Sequence, residues 1–107
     1  MYRFNIRGLK FAWNVSGERG NLRKHGVSFI EAAKVFQDPH ARRFYDFLHS
    51  EDEDRFILLG MSPSARLLIV CHCYREEAST IRIISARKAN GQETQEYERQ
   101  RYDARPL

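Results

Sequence analysis

No apolar run in this 107-residue sequence is long enough to cross a bilayer. The longest, Leu67-Leu68-Ile69-Val70-Cys71, falls far short of the roughly twenty residues a membrane helix needs. Arg3 and Arg7 interrupt the N-terminus and no apolar segment follows, so the start does not read as a signal peptide. The expected setting is therefore the cytosol, with no membrane partner. Cysteine is scarce: Cys71 and Cys73 flank His72 and fall on one face of an apolar strand. A single Cys-x-Cys without further spaced ligands supports neither a zinc site nor a disulfide framework, and buried thiols are ordinary core residues. The acidic run at 51–54 lacks the glycine and ligand spacing of a calcium loop. Neither a metal nor another cofactor is expected. Repeats, low-complexity tracts and linkers are missing too, and the length fits one domain, residues 1–107.

What the chain does contain is aromatic residues and cations. Seven Phe, five Tyr and one Trp argue against disorder and suffice for one core. The net charge of +4 is unevenly laid out. Residues 1–45 carry +6, residues 46–54 carry −5 with no Lys or Arg, and residues 55–107 carry +3. A basic body with one acidic loop suits a polyanionic ligand, although an ordinary solvated surface gives the same sum.

Hydrophobic periods give the order of elements. Tyr2, Phe4 and Ile6 alternate as a strand over 2–13, with a break at Gly8 and Trp13 as a core anchor. Ser16 is the expected cap of a short helix that Gly26 stops after His25. Ser28 and Glu31 form a Ser-x-x-Glu capping box, and Phe29, Ala32, Ala33 and Phe36 make an apolar stripe before Asp38-Pro39. Four strands are expected at 42–48, 55–61, 66–74 and 80–85, antiparallel because their connections are short. The nearly all-apolar third should be central. A last helix runs from about 87 to 101, with Ser85 as its cap and a frayed tail at Pro106. The expected fold is α+β: an antiparallel sheet with two N-terminal helices and one C-terminal helix, set against one face.

Metal-free RNA cleavage needs cations on the scissile phosphate and groups that move protons. Arginine is the natural clamp, because its planar fork donates two hydrogen bonds. The chain carries Arg55, Arg66, Arg75, Arg82 and Arg87 at strand ends, with Lys24, His25, His49, Glu53, Glu93 and Tyr97 elsewhere. Arg87 stands out, since a helix starting there would offer free N–H groups to an anion. Each position also has a structural reading. Arg55 can pair with Glu53, Arg82 can lie in an ion pair under a helix, and Arg87 can bridge to Glu93. Tyr97 can be a packing residue, and His25 a helix-end cation.

Several segments together are recognisable. Asn21-Leu22-Arg23-Lys24-His25-Gly26-Val27-Ser28-Phe29, then Val35-Phe36-Gln37-Asp38-Pro39, resemble the BrnT family of toxins. So do His49-Ser50-Glu51-Asp52-Glu53-Asp54-Arg55 with Gly60, Ser62 and Arg66, and Arg82-Ile83-Ile84-Ser85-Ala86-Arg87-Lys88-Ala89 with Glu93 and Tyr97. The resemblance implies a small RelE-like domain and a ribonuclease toxin of a type II toxin–antitoxin pair. It implies RNA cleavage without a cofactor and inhibition of translation. It also implies neutralisation by BrnA, a ribbon-helix-helix antitoxin that binds operator DNA. Such antitoxins fold only as dimers, so a 2:2 heterotetramer is the simple expectation. On this reading His25, Glu53, Arg55 and Arg87 are the catalytic candidates, and Lys24, Arg66, Arg75, Arg82 and Tyr97 hold RNA. The alternatives are a non-catalytic nucleic-acid-binding or autoregulatory module, and a degenerate toxin that only binds its antitoxin.

Overall fold

Arg7 and Gly8 both have positive φ, 46° and 85°, and they turn the chain back on itself. The opening segment is therefore not one strand but a hairpin, β1 (Tyr2–Ile6) and β2 (Leu9–Trp13), with Tyr2 opposite Trp13. Two central residues with φ > 0 match the right-handed twist of the paired strands. The structure, a computed structural model, describes residues 1–103; the tail expected to fray at Pro106 lies outside them.

Helix α1 (Val15–His25) is capped by Asn14, whose side chain accepts the Gly17 N–H at 3.0 Å. The expected cap, Ser16, instead donates its hydroxyl to Asn14. Gly26 ends the helix in the left-handed conformation, as its sequence position implied. Helix α2 (Phe29–Lys34) starts at Ser28, which accepts the Glu31 N–H, and runs into a 3-10 turn, Val35–Gln37. Only half of the capping box forms, because Glu31 turns its carboxylate to Arg66, Ser62 and Ser64.

Four more strands follow: β3 (Arg42–Tyr45), β4 (Phe56–Met61), β5 (Leu67–Arg75) and β6 (Thr80–Lys88). A 3-10 turn, Phe47–His49, takes up the end of the segment expected to be strand at 42–48. The single sheet has the order β1-β2-β6-β5-β4-β3, with β5 and β6 in the middle. Its pairs are antiparallel except β2–β6, which is parallel. The expectation of a purely antiparallel sheet thus fails at one pair. Short connections constrain only β3 to β6, whereas β2 reaches β6 through both early helices and most of the sheet.

The helices do not share one face. Leu58, Leu68, Val70, Ile81, Ile83 and Ala86 pack against Phe29, Ala32, Ala33 and Val35. Trp13 belongs to this core, stacked on Tyr2 at 5.1 Å and edge-on to Phe29. The alternate residues Leu59 and Ile69 point the other way, toward Tyr97 of α3 (Gly91–Asp103). Strand β6 runs through Ser85 and Arg87 to Lys88, so neither residue opens a helix. The cap of α3 is Asn90, which accepts the Glu93 N–H while Glu93 accepts the Asn90 N–H, both at 2.8 Å. Among the described residues no helix is long and apolar enough to cross a membrane. Helix α3 covers only part of its face and leaves the floor of a cleft open beside it.

Candidate active site

The open floor is made by Ile57 of β4, Ile69 and Cys71 of β5, and Ser85 of β6. The cleft over it measures about 480 Å³. A bulge shapes it: the pairing jumps from Cys71–Ser85 to His72–Ile83, leaving Ile84 as the extra residue. Bulges re-aim side chains next to functional sites. Here Ile84, Ser85 and Arg87 all line the cleft.

One wall is the C-terminal end of α1, which brings His25 to the cleft. Asn21 fixes that helix. Strand β2 pairs with β6 only as far as Arg82, and beyond it the Asn21 amide takes the place of a neighbouring strand. Its nitrogen donates to the Ala86 carbonyl at 2.9 Å, and its oxygen accepts the Ala86 N–H at 3.0 Å. Nothing in hydrophobic periodicity signals this buried Asn. The opposite wall is the 3-10 turn after β3, with Asp46, Leu48 and His49. The Asp46 N–H donates to the Arg55 carbonyl, which ties this turn to the start of β4. His49 lies 2.9 Å from Asp46 through Nδ1. Asp46 belonged to a segment that reads as plain strand, and its proximity to His49 is visible only once the turn is folded.

The two cleft arginines differ. The Arg55 guanidinium makes no hydrogen bond among the described residues; its Nε is buried without a partner, and its nearest acid is Glu53 at 3.6 Å. Arg87 is committed on one side, with both terminal nitrogens on the Glu93 carboxylate at 2.8 and 2.9 Å. That pair raises the Arg87 pKa and lowers that of Glu93. Because β6 continues past Arg87, that residue does not open a helix; α3 starts at Gly91, and Arg87 binds the Glu93 carboxylate in its first turn. The side chain still faces the cleft.

Glu53 does not line the cleft. It sits behind Arg55 and pairs with Arg75. The Arg75 hydrogen bond holds its carboxyl below the usual range. Arg82 shares a hollow with Glu53 and Arg55 on the next stretch of the surface. Lys24 is exposed on α1 beside His25. Arg66 and Tyr97 lie elsewhere. Arg66 binds Glu31 with Nε and a terminal nitrogen and donates to the Gly26 carbonyl, so it braces the end of α1 that carries His25. Tyr97 is buried under α3 and donates to Asp38 at 2.7 Å; burial first, then Asp38, pushes its pKa up to about 12. Cys71 and Cys73 are both free thiols with pKa values raised, chiefly by burial.

No curated protein sequence matches the chain. Residues 13–93 match the sequence model of a family described as the ribonuclease toxin BrnT of type II toxin–antitoxin systems. The crystal structure of the Brucella abortus ribonuclease toxin BrnT superposes with a TM-score of 0.58 at 20% identity. That match covers 75% of this chain and 95% of the Brucella chain, and it shows a shared fold. The first strand, β1, precedes the family-matched residues. With the family match spanning most of its length, the chain belongs to the BrnT family of ribonuclease toxins of type II toxin–antitoxin systems.

Proposed function

We propose that the chain is a RelE-like, metal-independent endoribonuclease that acts in the cytoplasm and stops translation and growth. A ribose 2′-hydroxyl attacks the adjacent phosphorus, and the upstream fragment ends in a 2′,3′-cyclic phosphate. A BrnA-type ribbon-helix-helix antitoxin neutralises it in a 2:2 complex, and operator DNA is contacted through the antitoxin. The observation that carries this reading is the cleft itself: His25 and two arginines over one open sheet floor, with no hydrogen bond on the Arg55 fork among the described residues.

Arg55 and Arg87 bind the non-bridging phosphate oxygens and stabilise the charge that grows on them. His25 handles a proton. Glu53, the other candidate for that task, is poorly suited: its charge is held by Arg75 and Arg55 and its carboxyl titrates low. It is better read as the group that holds Arg55 in place. Lys24, next to His25 in sequence, and Arg75 and Arg82, which lie with Glu53 outside the cleft, attract the RNA backbone. Arg66 and Tyr97 support the fold in this reading, since each has another partner.

Losing one preorganised donor to a transition state typically costs about a hundred- to a thousand-fold in rate. Arg87→Ala and Arg55→Ala are each expected to lose RNA cleavage on that scale and to abolish growth arrest while the chain stays folded. Arg87→Lys should restore little, because an ammonium does not reproduce the fork. If Arg87→Ala folds normally and degrades RNA at the parent rate, Arg87 is only the partner of Glu93. The bidentate Arg87–Glu93 pair favours a second reading, a chain that only binds its antitoxin. Intact RNA after full induction of the parent chain would select it.

A further inference from the structure

The cleft offers a second histidine, and it is better built for proton transfer than the first. Asp46 is buried, 6% exposed, and among the described residues its carboxylate has no ion-pair partner other than His49. The remaining close polar group is the weak Cys71 thiol at 3.9 Å. A carboxylate only accepts hydrogen bonds, so at 2.9 Å the His49 Nδ1 must carry the hydrogen. In the neutral ring the lone pair is then on Nε2. The ring is 64% exposed and lines the cleft, so that lone pair is reachable by a ligand.

The segment between is held from several sides. The Ser50 hydroxyl donates to the Asp46 carbonyl at 2.5 Å and accepts the Arg55 N–H at 2.9 Å, while Asp46 N–H donates to the Arg55 carbonyl. The acidic loop that follows is thus anchored where the dyad stands, and Arg55 is set beside it. His25 faces His49 from the other wall, on the β6 side of the floor. A histidine held by a buried carboxylate, an arginine fork beside it with no hydrogen bond among the described residues, and a second histidine opposite are the parts of a two-histidine phosphodiester site.

We infer that His49, oriented by Asp46, is the base that takes the 2′-hydroxyl proton, and that His25 is the acid for the leaving 5′-oxygen. This rests on the ribonuclease reading above. The 2′-oxygen forms its bond to phosphorus as its proton passes to His49 Nε2. The bond from phosphorus to the 5′-oxygen breaks, and that oxygen takes a proton from His25. The products are a 2′,3′-cyclic phosphate and a 5′-hydroxyl; nothing is oxidised and no water is consumed. Asp46 is a positioning residue that acts through His49. The titratable and charged groups that share the cleft with His49 are Asp46, Cys71, Arg55, His25 and Arg87. Glu51, Asp52 and Glu53 line the adjoining hollow.

The test uses the purified full-length chain and two RNA oligonucleotides, one ordinary and one with sulfur in place of the 5′-bridging oxygen at the cleaved bond. A thiolate leaves without a proton, so the sulfur substrate no longer needs the acid. His49→Ala should cleave ordinary RNA about a hundred- to ten-thousand-fold more slowly and gain nothing from the sulfur substrate. His25→Ala should be slow on ordinary RNA and recover on the sulfur substrate. Asp46→Asn keeps the ring but not its tautomer, so it should lower the rate and displace the ascending limb of the pH–rate profile, which a merely structural Asp46 would leave in place. His49→Gln, which keeps a donor toward Asp46, guards against a folding defect and should match His49→Ala. The inference is overturned if His49→Ala cleaves at the parent rate, or if the sulfur substrate rescues it. If the parent chain leaves RNA intact, the ribonuclease reading fails and takes the inference with it. If Arg55→Ala and Arg87→Ala fail while His49→Ala is fully active, the reading stands and the dyad does not.

Discussion

Arg55, Arg66, Arg75 and Arg87 look alike in sequence, and the fold assigns them different work. Arg66 shows this most clearly. It binds the Glu31 carboxylate, which also accepts the Ser62 and Ser64 hydroxyls at 2.7 Å each. These bonds, led by that from Arg66, lower the Glu31 pKa from 4.5 to about 2. A carboxyl depressed on folding stabilises the native state fully above its unfolded pKa, and that contribution is lost as pH falls through the folded one. Glu31→Gln should therefore lower the unfolding free energy at pH 7 by about 1–2 kcal/mol, the pair being partly screened by water. In urea titrations the gap between parent and variant should shrink by roughly half at pH 3. An unchanged gap would contradict the assignment. The residue types suited to a phosphate were legible in the sequence, and four of them, His25, His49, Arg55 and Arg87, do line one cleft. Which arginine keeps its fork without a hydrogen bond was not legible, because it depends on acids distant in sequence: Glu31 is 35 residues from Arg66, and Glu53 is 22 from Arg75.

At the scale of elements, the misplaced helix start at Ser85 has a clear cause. Ala86, Arg87 and Lys88 are good helix formers, but each faces a β5 partner: Val70, Ile69 and Leu68. Pairing across the sheet outweighs a local preference of a few tenths of a kcal/mol per residue. The helix waits for Asn90 and Glu93, whose reciprocal bonds satisfy its first turn. The helix stop at Gly26 and the central place of β5 were legible, since both follow from short-range chemistry or from long apolar runs. The partnership of α1 with β6 was not, because a single amide 65 residues from Ala86 carries it. Asn21→Ala would orphan the buried Ala86 N–H and C=O and should cost about 2–3 kcal/mol. It should also loosen the wall that holds His25, so cleavage should fall even at temperatures where the variant is fully folded. Thermal unfolding and cleavage measured together check this; a variant with parental stability would show that α1 is held by packing alone.

At the scale of the molecule, a basic body with an acidic segment at 46–54 presents opposite charges around one cleft. The acidic stretch is not a passive loop, since Asp46 pairs with His49, and Glu53 pairs with Arg75 and, at 3.6 Å, with Arg55. Next to it, Phe47 and Leu48 are more than four-fifths exposed, a surface a partner would cover. Light scattering of the chain co-expressed with its antitoxin should give the mass of two toxins and two antitoxins; a one-to-one mass would contradict the proposed assembly. The cleft is proposed to cut RNA with its own side chains by attack of the 2′-oxygen. That proposal is tested most directly by mass spectrometry of the fragments that the purified chain releases from RNA in excess EDTA. Undiminished cleavage is expected, with a 2′,3′-cyclic phosphate on the upstream fragment and a 5′-hydroxyl on the downstream one. Cleavage stopped by EDTA, or fragments carrying a 5′-phosphate, would contradict it.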